Sequence, residues 1–201
     1  AAFAGDYAAA QAAYQAAIAA PRLGGAPGAA LDLRERLAEV ELLLGDLDAA
    51  LEQYDLIFQT TDQDWRRARS LILAGGALYR AGQTEAAYAK YAQAVANYPA
   101  AGDTFQGLLA LVNDGVPVDD LQRGLTNYHA RNYAPALAAF DRVLLSNPTD
   151  TTALYHKGLT LDALGRGGEA IAAFRQIVEG FPGDAYWQPA YFQIAFIQPY
   201  P

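Results

Sequence analysis

Small, aromatic and apolar residues return along this chain in one fixed order, five times. Counting from Gly5, Gly45, Gly82, Arg131 and Gly165, an alanine follows five residues later (Ala10, Ala50, Ala87, Ala136, Ala170), and four further on an aromatic (Tyr14, Tyr54, Tyr91, Phe140, Phe174). Three residues later comes a pair without charge (Ala17-Ile18, Ile57-Phe58, Ala94-Val95, Val143-Leu144, Ile177-Val178). Pro21, Pro99, Pro148 and Pro182 end four of the blocks, and Asp62 stands in the fifth place. Each block predicts an amphipathic helix: the small residue lies where two helices cross closely, the aromatic fills the space beside it, and proline cannot continue a helix past its first turn. Seven residues before four of the reference positions stand Leu37-Ala38, Ala74-Gly75, Arg123-Gly124 and Lys157-Gly158. They predict a preceding helix whose small member admits its neighbour.

This order resembles the tetratricopeptide repeat, whose second helix carries an alanine, an aromatic, a small or apolar pair and a terminal proline. The resemblance implies an all-α fold, a right-handed α-solenoid of about eleven helices. One continuous solenoid is expected, with a half repeat at 1–21, repeats at 29–62, 64–99, 117–148 and 150–182, and a second half repeat at 185–198. The spacing is 34 residues from Arg131 to Gly165, but 49 from Gly82 to Arg131, an excess of 15 that is the length of one additional helix. That helix is predicted at 103–113, with Phe105, Leu108, Leu109 and Val112 at helical spacing and Asp103 as its cap; Asp119 or Asp120 caps the next. Leu23 to Gly28 predicts a flexible link.

Composition narrows the function. Fourteen Lys and Arg against 22 Asp and Glu give a net charge of -8, which repels phosphate backbones, so no nucleic-acid partner is expected. No apolar run reaches the roughly 18 residues that span a bilayer, so no membrane insertion is expected. There is neither Cys nor Met, and a chain opening Ala1-Ala2-Phe3-Ala4 suggests a processed product or a fragment of a longer array. An extracytoplasmic or extracellular location, in a bacterial envelope or at its surface, is the expectation.

Catalytic chemistry finds few residues to use. The only serines are Ser70 and Ser146, neither in a nucleophile elbow, and the only histidines are His129 and His156, read as helix-surface residues. Two distant histidines without cysteine argue against a zinc or haem site, and Gly165-Arg166-Gly167-Gly168 lies between helices rather than after a strand. No enzymatic activity and no cofactor or metal are expected. The segment 100–148, with Gly115-Val116-Pro117-Val118-Asp119-Asp120-Leu121-Gln122-Arg123-Gly124 leading into Tyr133 to Phe140, is similar to the superhelical noncatalytic region of bacterial lytic transglycosylases. That likeness implies an envelope-associated scaffold lacking the catalytic domain.

The repeat resemblance implies an inner face built from the first helices, at positions two, five, nine and twelve. Its candidates are Glu35, Glu39, Ile72, Tyr79, Leu121, Leu125, Tyr128, Tyr155 and Leu159, a face grading from acidic to apolar and aromatic. Chaperone-binding members of the family clamp a carboxylate with Lys and Asn at positions five and nine. Here those places hold Glu35 and Glu39, Ile72 and Gly76, Leu121 and Leu125, Tyr155 and Leu159, so carboxylate-capped peptides are not the expected ligand. The first block has no first helix before it, and 185–198 supplies a first helix with no second, carrying Tyr191, Ile194 and Ala195 in the large, apolar and small places. Phe3, Tyr7 and Tyr14 at one end, and Trp187, Tyr191, Phe192, Ile194 and Phe196 at the other, therefore form the expected self-assembly interface. The leading expectation is a noncatalytic scaffold that joins copies of itself head to tail, into a filament, tube or ring. The alternatives are an adaptor binding another protein or peptide on its inner face, and the noncatalytic part of an envelope lytic transglycosylase.

Overall fold

A computed structural model describes residues 2–20 and 27–197. Among them stand eleven α-helices and no strand: α1 Ala2–Ala19, α2 Pro27–Leu44, α3 Leu47–Thr60, α4 Asp64–Arg80, α5 Thr84–Asn97, α6 Thr104–Asn113, α7 Asp120–His129, α8 Tyr133–Ser146, α9 Thr151–Ala163, α10 Gly167–Gly180 and α11 Trp187–Ile197. The additional helix is α6. The expected link at Leu23–Gly28 lies outside the described residues up to Ala26, as does the end at Gln198 to Pro201. The chain divides into two compact units, Ala1–Val116 and Pro117–Pro201. Unit 1 holds α1 to α6, and unit 2 holds α7 to α11.

Both units obey one packing rule. A small residue in the first helix of a pair meets an aromatic sixteen residues later in the second, as in Ala38 with Tyr54, Gly75 with Tyr91, Gly124 with Phe140, and Gly158 with Phe174. A methyl group added at Gly75, Gly124 or Gly158 would come within 2.5 Å of the aromatic ring opposite. The helices can approach this closely only because the side chain is missing. Ala50, Ala87, Ala136 and Ala170, one helical turn before the aromatics, are fully buried. Phe140 and Phe174 are fully buried too, each worth roughly 1.5–3 kcal/mol of apolar transfer.

The turn inside each pair is equally regular. Gly45, Gly82 and Gly165 take φ of +86°, +78° and +75°, and Arg131 holds the same place at +60°. This left-handed residue lets the following N–H reach back to close the helix: Asp46 N to Glu41 O, Gln83 N to Leu78 O, Asn132 N to Asn127 O and Arg166 N to Leu161 O, at 2.8 or 2.9 Å. Asp46, Asp119 and Asp150 then cap α3, α7 and α9 by accepting from the backbone N–H of Ala49, Gln122 and Ala153. Asp103 departs from its expected role. It occupies the cap position of α6 without a capping hydrogen bond, its backbone already helical at φ -67° and ψ -25°, and its carboxylate lies 3.5 Å from Arg69 Nη1.

Candidate protein-binding surfaces

In unit 1 the inner-face positions carry an ion-pair ladder with the period of the repeat. Arg66 Nη1 donates to Asp32 Oδ1 at 2.7 Å, Arg69 donates to both carboxylate oxygens of Glu35 at 2.6–3.0 Å, and its Nη1 reaches Asp103 Oδ2 at 3.5 Å. Each partner lies 34 residues from the other, so the ladder ties α2 to α4 and α4 to the start of α6. Its hydrogen bonds to the Glu35 carboxylate, with the nearby Asp103 charge, hold the Arg69 guanidinium firmly protonated. Glu39 remains exposed. Ile72 is buried, since α6 crosses it at Gly107, where an added methyl would lie 2.6 Å from Ile72 Cδ1. Tyr79 is exposed beside Tyr88, whose hydroxyl donates to Asp114 at 2.7 Å and is held unionised up to about 12.

Unit 2 presents a different chemistry at the same positions. Leu121, Leu125, Tyr128, Tyr155 and Leu159 are all half-buried. Tyr155 stacks on Tyr186 at 4.7 Å between centroids. His156 sits among Tyr128, Phe140, Tyr155 and Tyr186, with ring centroids 5.5–6.1 Å away. This corrects its reading as a helix-surface residue: its Nδ1 is buried without a hydrogen-bond partner among the described residues. Burial, with a smaller contribution from His129, pushes the His156 pKa down to about 4, so the ring is neutral at pH 7. His129 is exposed at the edge of the cluster, and its pKa is also lowered by desolvation.

The end helices break the burial pattern. On α11, Tyr191, Phe192 and Phe196 are 56%, 62% and 91% exposed. Trp187 and Ile194 are not free in the way the sequence suggested. The Trp187 indole donates to Val178 O at 3.0 Å and stacks on Tyr191, while Ile194 is packed against the unit 2 core around Phe174 and Ile177. On α1, Tyr7 and Tyr14 are half-buried, as is Ala10, whose counterparts in the other four blocks are fully covered. The side chain of Phe3 lies outside the described residues. Among the described residues no three His, Asp or Glu side chains are grouped so as to hold a metal ion, and no helix is long and apolar enough to cross a membrane.

The sequence reading missed the ladder and the histidine cluster. Opposite charges 34 residues apart were a visible signal for the first, whereas the second depends on Tyr186, which precedes α11 and belongs to no repeat position.

Paired helices, the small-over-aromatic lock and the left-handed turn together define a helical repeat protein. Family models of the tetratricopeptide repeat match residues 1–64 and 121–185, and another matches residues 63–101. The chain belongs to the tetratricopeptide repeat family. No curated protein matches it. Among solved structures it is similar to MamA, at 19% identity over 80% of this chain and 82% of that one, with a TM-score of 0.36. A second MamA structure, AMB-1, shares 18% identity over 83% and 80%, at 0.35. A tetratricopeptide repeat protein from Parabacteroides merdae shares 17% identity over 96% and 80%, at 0.39. Similarity of this order defines neither a partner nor a site. The comparisons do not show the likeness of 100–148 to lytic transglycosylases.

Proposed function

We propose that this chain is a noncatalytic scaffold that works by protein–protein contact and joins copies of itself head to tail through α1 and α11. The observation that carries this reading is the exposure of Tyr191, Phe192 and Phe196 on one helix, the three most exposed aromatics among the described residues. Exposed aromatics so concentrated are the usual mark of an interface, and aromatic anchors dominate interface energetics. Sedimentation over a range of concentrations tests it. The full chain is expected to grow into larger species, and Tyr191→Ser with Phe196→Ser is expected to leave a folded monomer; a full chain that stays monomeric at high concentration overturns the reading.

A second reading rests on the inner face of unit 2. Phe192 and Phe196 fall at positions five and nine of their helix, in register with Leu121, Tyr155, Leu125 and Leu159. An apolar segment of another protein lying along this row would make the chain an adaptor, and labelled peptides of that kind would lose binding on Leu159→Asp.

A further inference from the structure

Unit 2 carries its own cation across a groove that stays open in unit 1, and we infer that the groove between α3 and α5 takes a lysine side chain presented by another protein. The two units can be compared position by position. Asp55 on α3 stands ten residues after Gly45, as Asp141 on α8 stands ten after Arg131. Ala74 on α4 stands eight residues before Gly82, as Lys157 on α9 stands eight before Gly165. In unit 2 the Lys157 ammonium lies 2.7 Å from Asp141 Oδ1, so one cation bridges the two helices. In unit 1 alanine holds the place of that lysine, and Asp55 is exposed with no ion pair among the described residues.

The place of the missing cation is a recess. A cavity of about 360 Å³ is lined there by Leu71 and Ala74 of α4, by Glu52, Asp55 and Phe58 of α3, and by Lys90 of α5. Leu71 and Ala74 are buried and Phe58 is half-buried, an apolar bed for the methylene stem of a lysine whose ammonium stays at the wet rim. Glu52 and Asp55, one turn apart on the same wall, supply the opposite charge there, and a net charge of -8 draws a basic partner towards the chain. Neither lysine of this sequence can serve. Lys157 is already held by Asp141, and Lys90 makes no ion pair with Glu52 or Asp55 from the opposite wall. The cation is therefore supplied from outside these residues, by a basic segment of a partner protein.

Fluorescence anisotropy with labelled peptides tests this on the full chain. The probe is a peptide with one lysine between leucines, and its match carries norleucine, which keeps the stem and loses the ammonium. The lysine peptide is expected to bind about fivefold more tightly than its match, the worth of a part-exposed ion pair, and Asp55→Asn is expected to remove most of that preference. Ala74→Lys copies Lys157 and is expected to close the groove to both peptides. Ala74 is buried, so urea unfolding checks that this variant folds, while Asp55→Asn at an exposed position tests the charge without touching the floor. Equal binding of the two peptides, or a lysine preference unchanged by Asp55→Asn, overturns the proposal. A preference seen only in Lys90→Ala also overturns it, because Lys90 would then be the cation that the two acids hold.

Discussion

Units 1 and 2 are built on the same helix pairs and the same buried lock, yet at the fifth and ninth positions of their first helices they differ, acidic on α2 of unit 1 and apolar or aromatic throughout unit 2. Unit 1 sets Glu35 and Glu39 there on α2, with Glu35 ion-paired to Arg69, and unit 2 sets Leu121, Leu125, Tyr155 and Leu159, the tyrosine beside a neutral histidine. The difference is possible because these positions contribute little to the lock itself. What they carry is free to answer to a partner, and the fold does not constrain it.

The comparison can be broken at its shared part first. Ala87→Leu in unit 1 and Ala136→Leu in unit 2 place three extra carbons at fully buried crossings, and each is expected to cost about 3 kcal/mol. Ala89→Leu, on an exposed position of the same α5, is expected to cost almost nothing. The two tryptophans, Trp65 in α4 and Trp187 in α11, report the units separately by fluorescence during urea unfolding. Equal midpoints for the buried and exposed substitutions would remove the common register.

Acid should separate the units. His156 is held at a pKa of about 4 in the folded chain, below the ordinary 6.5 of the unfolded one, so the unfolded state takes up the proton first. Stability is complete above about pH 6.5 and falls as pH drops towards 4, by roughly 2–3 kcal/mol in all. His129, also lowered by desolvation, adds in the same direction. The loss should appear at Trp187 and be abolished by His156→Phe, with the Trp65 transition unmoved by that substitution.

Smaller effects sharpen the contrast. Arg131 is the one non-glycine at the left-handed turn position, so Arg131→Gly should stabilise unit 2 by about 1 kcal/mol. Gly82→Arg in unit 1 should cost a similar amount by the same unfolding measurement. Arg69→Ala should lower unit 1 by about 0.5 kcal/mol, an effect that shrinks at high salt because the pair is partly exposed. The Trp187 transition should not respond to it.

The helix pairs were legible because the lock demands particular residue types at fixed intervals: a small residue, an aromatic sixteen later, a left-handed turn between them. The extra helix was legible as surplus length between Gly82 and Arg131. The surfaces were less so. That Trp187 would donate to Val178 O, or that α6 would cover Ile72, depends on how one helix leans on another, and periodicity fixes only which residues share a face. Asp103 reads as a cap from its place before α6, but its backbone is already helical there and its carboxylate lies towards Arg69 on a different helix, neither of which periodicity shows.

The ladder of unit 1 also has a mechanical meaning. Drawing α2 away from α6 along the stack must part Arg69 from Glu35 on one side and from Asp103 on the other, with Arg66 and Asp32 resisting in parallel. In unit 2 the ion pairs Arg142–Asp120 and Lys157–Asp141 join only helices consecutive in the chain, α7 with α8 and α8 with α9. Unit 1 is therefore a spring with charged rungs, whose resistance to extension under a pulling force falls as ionic strength rises, whereas unit 2, whose ion pairs bridge only consecutive helices, should respond to salt less.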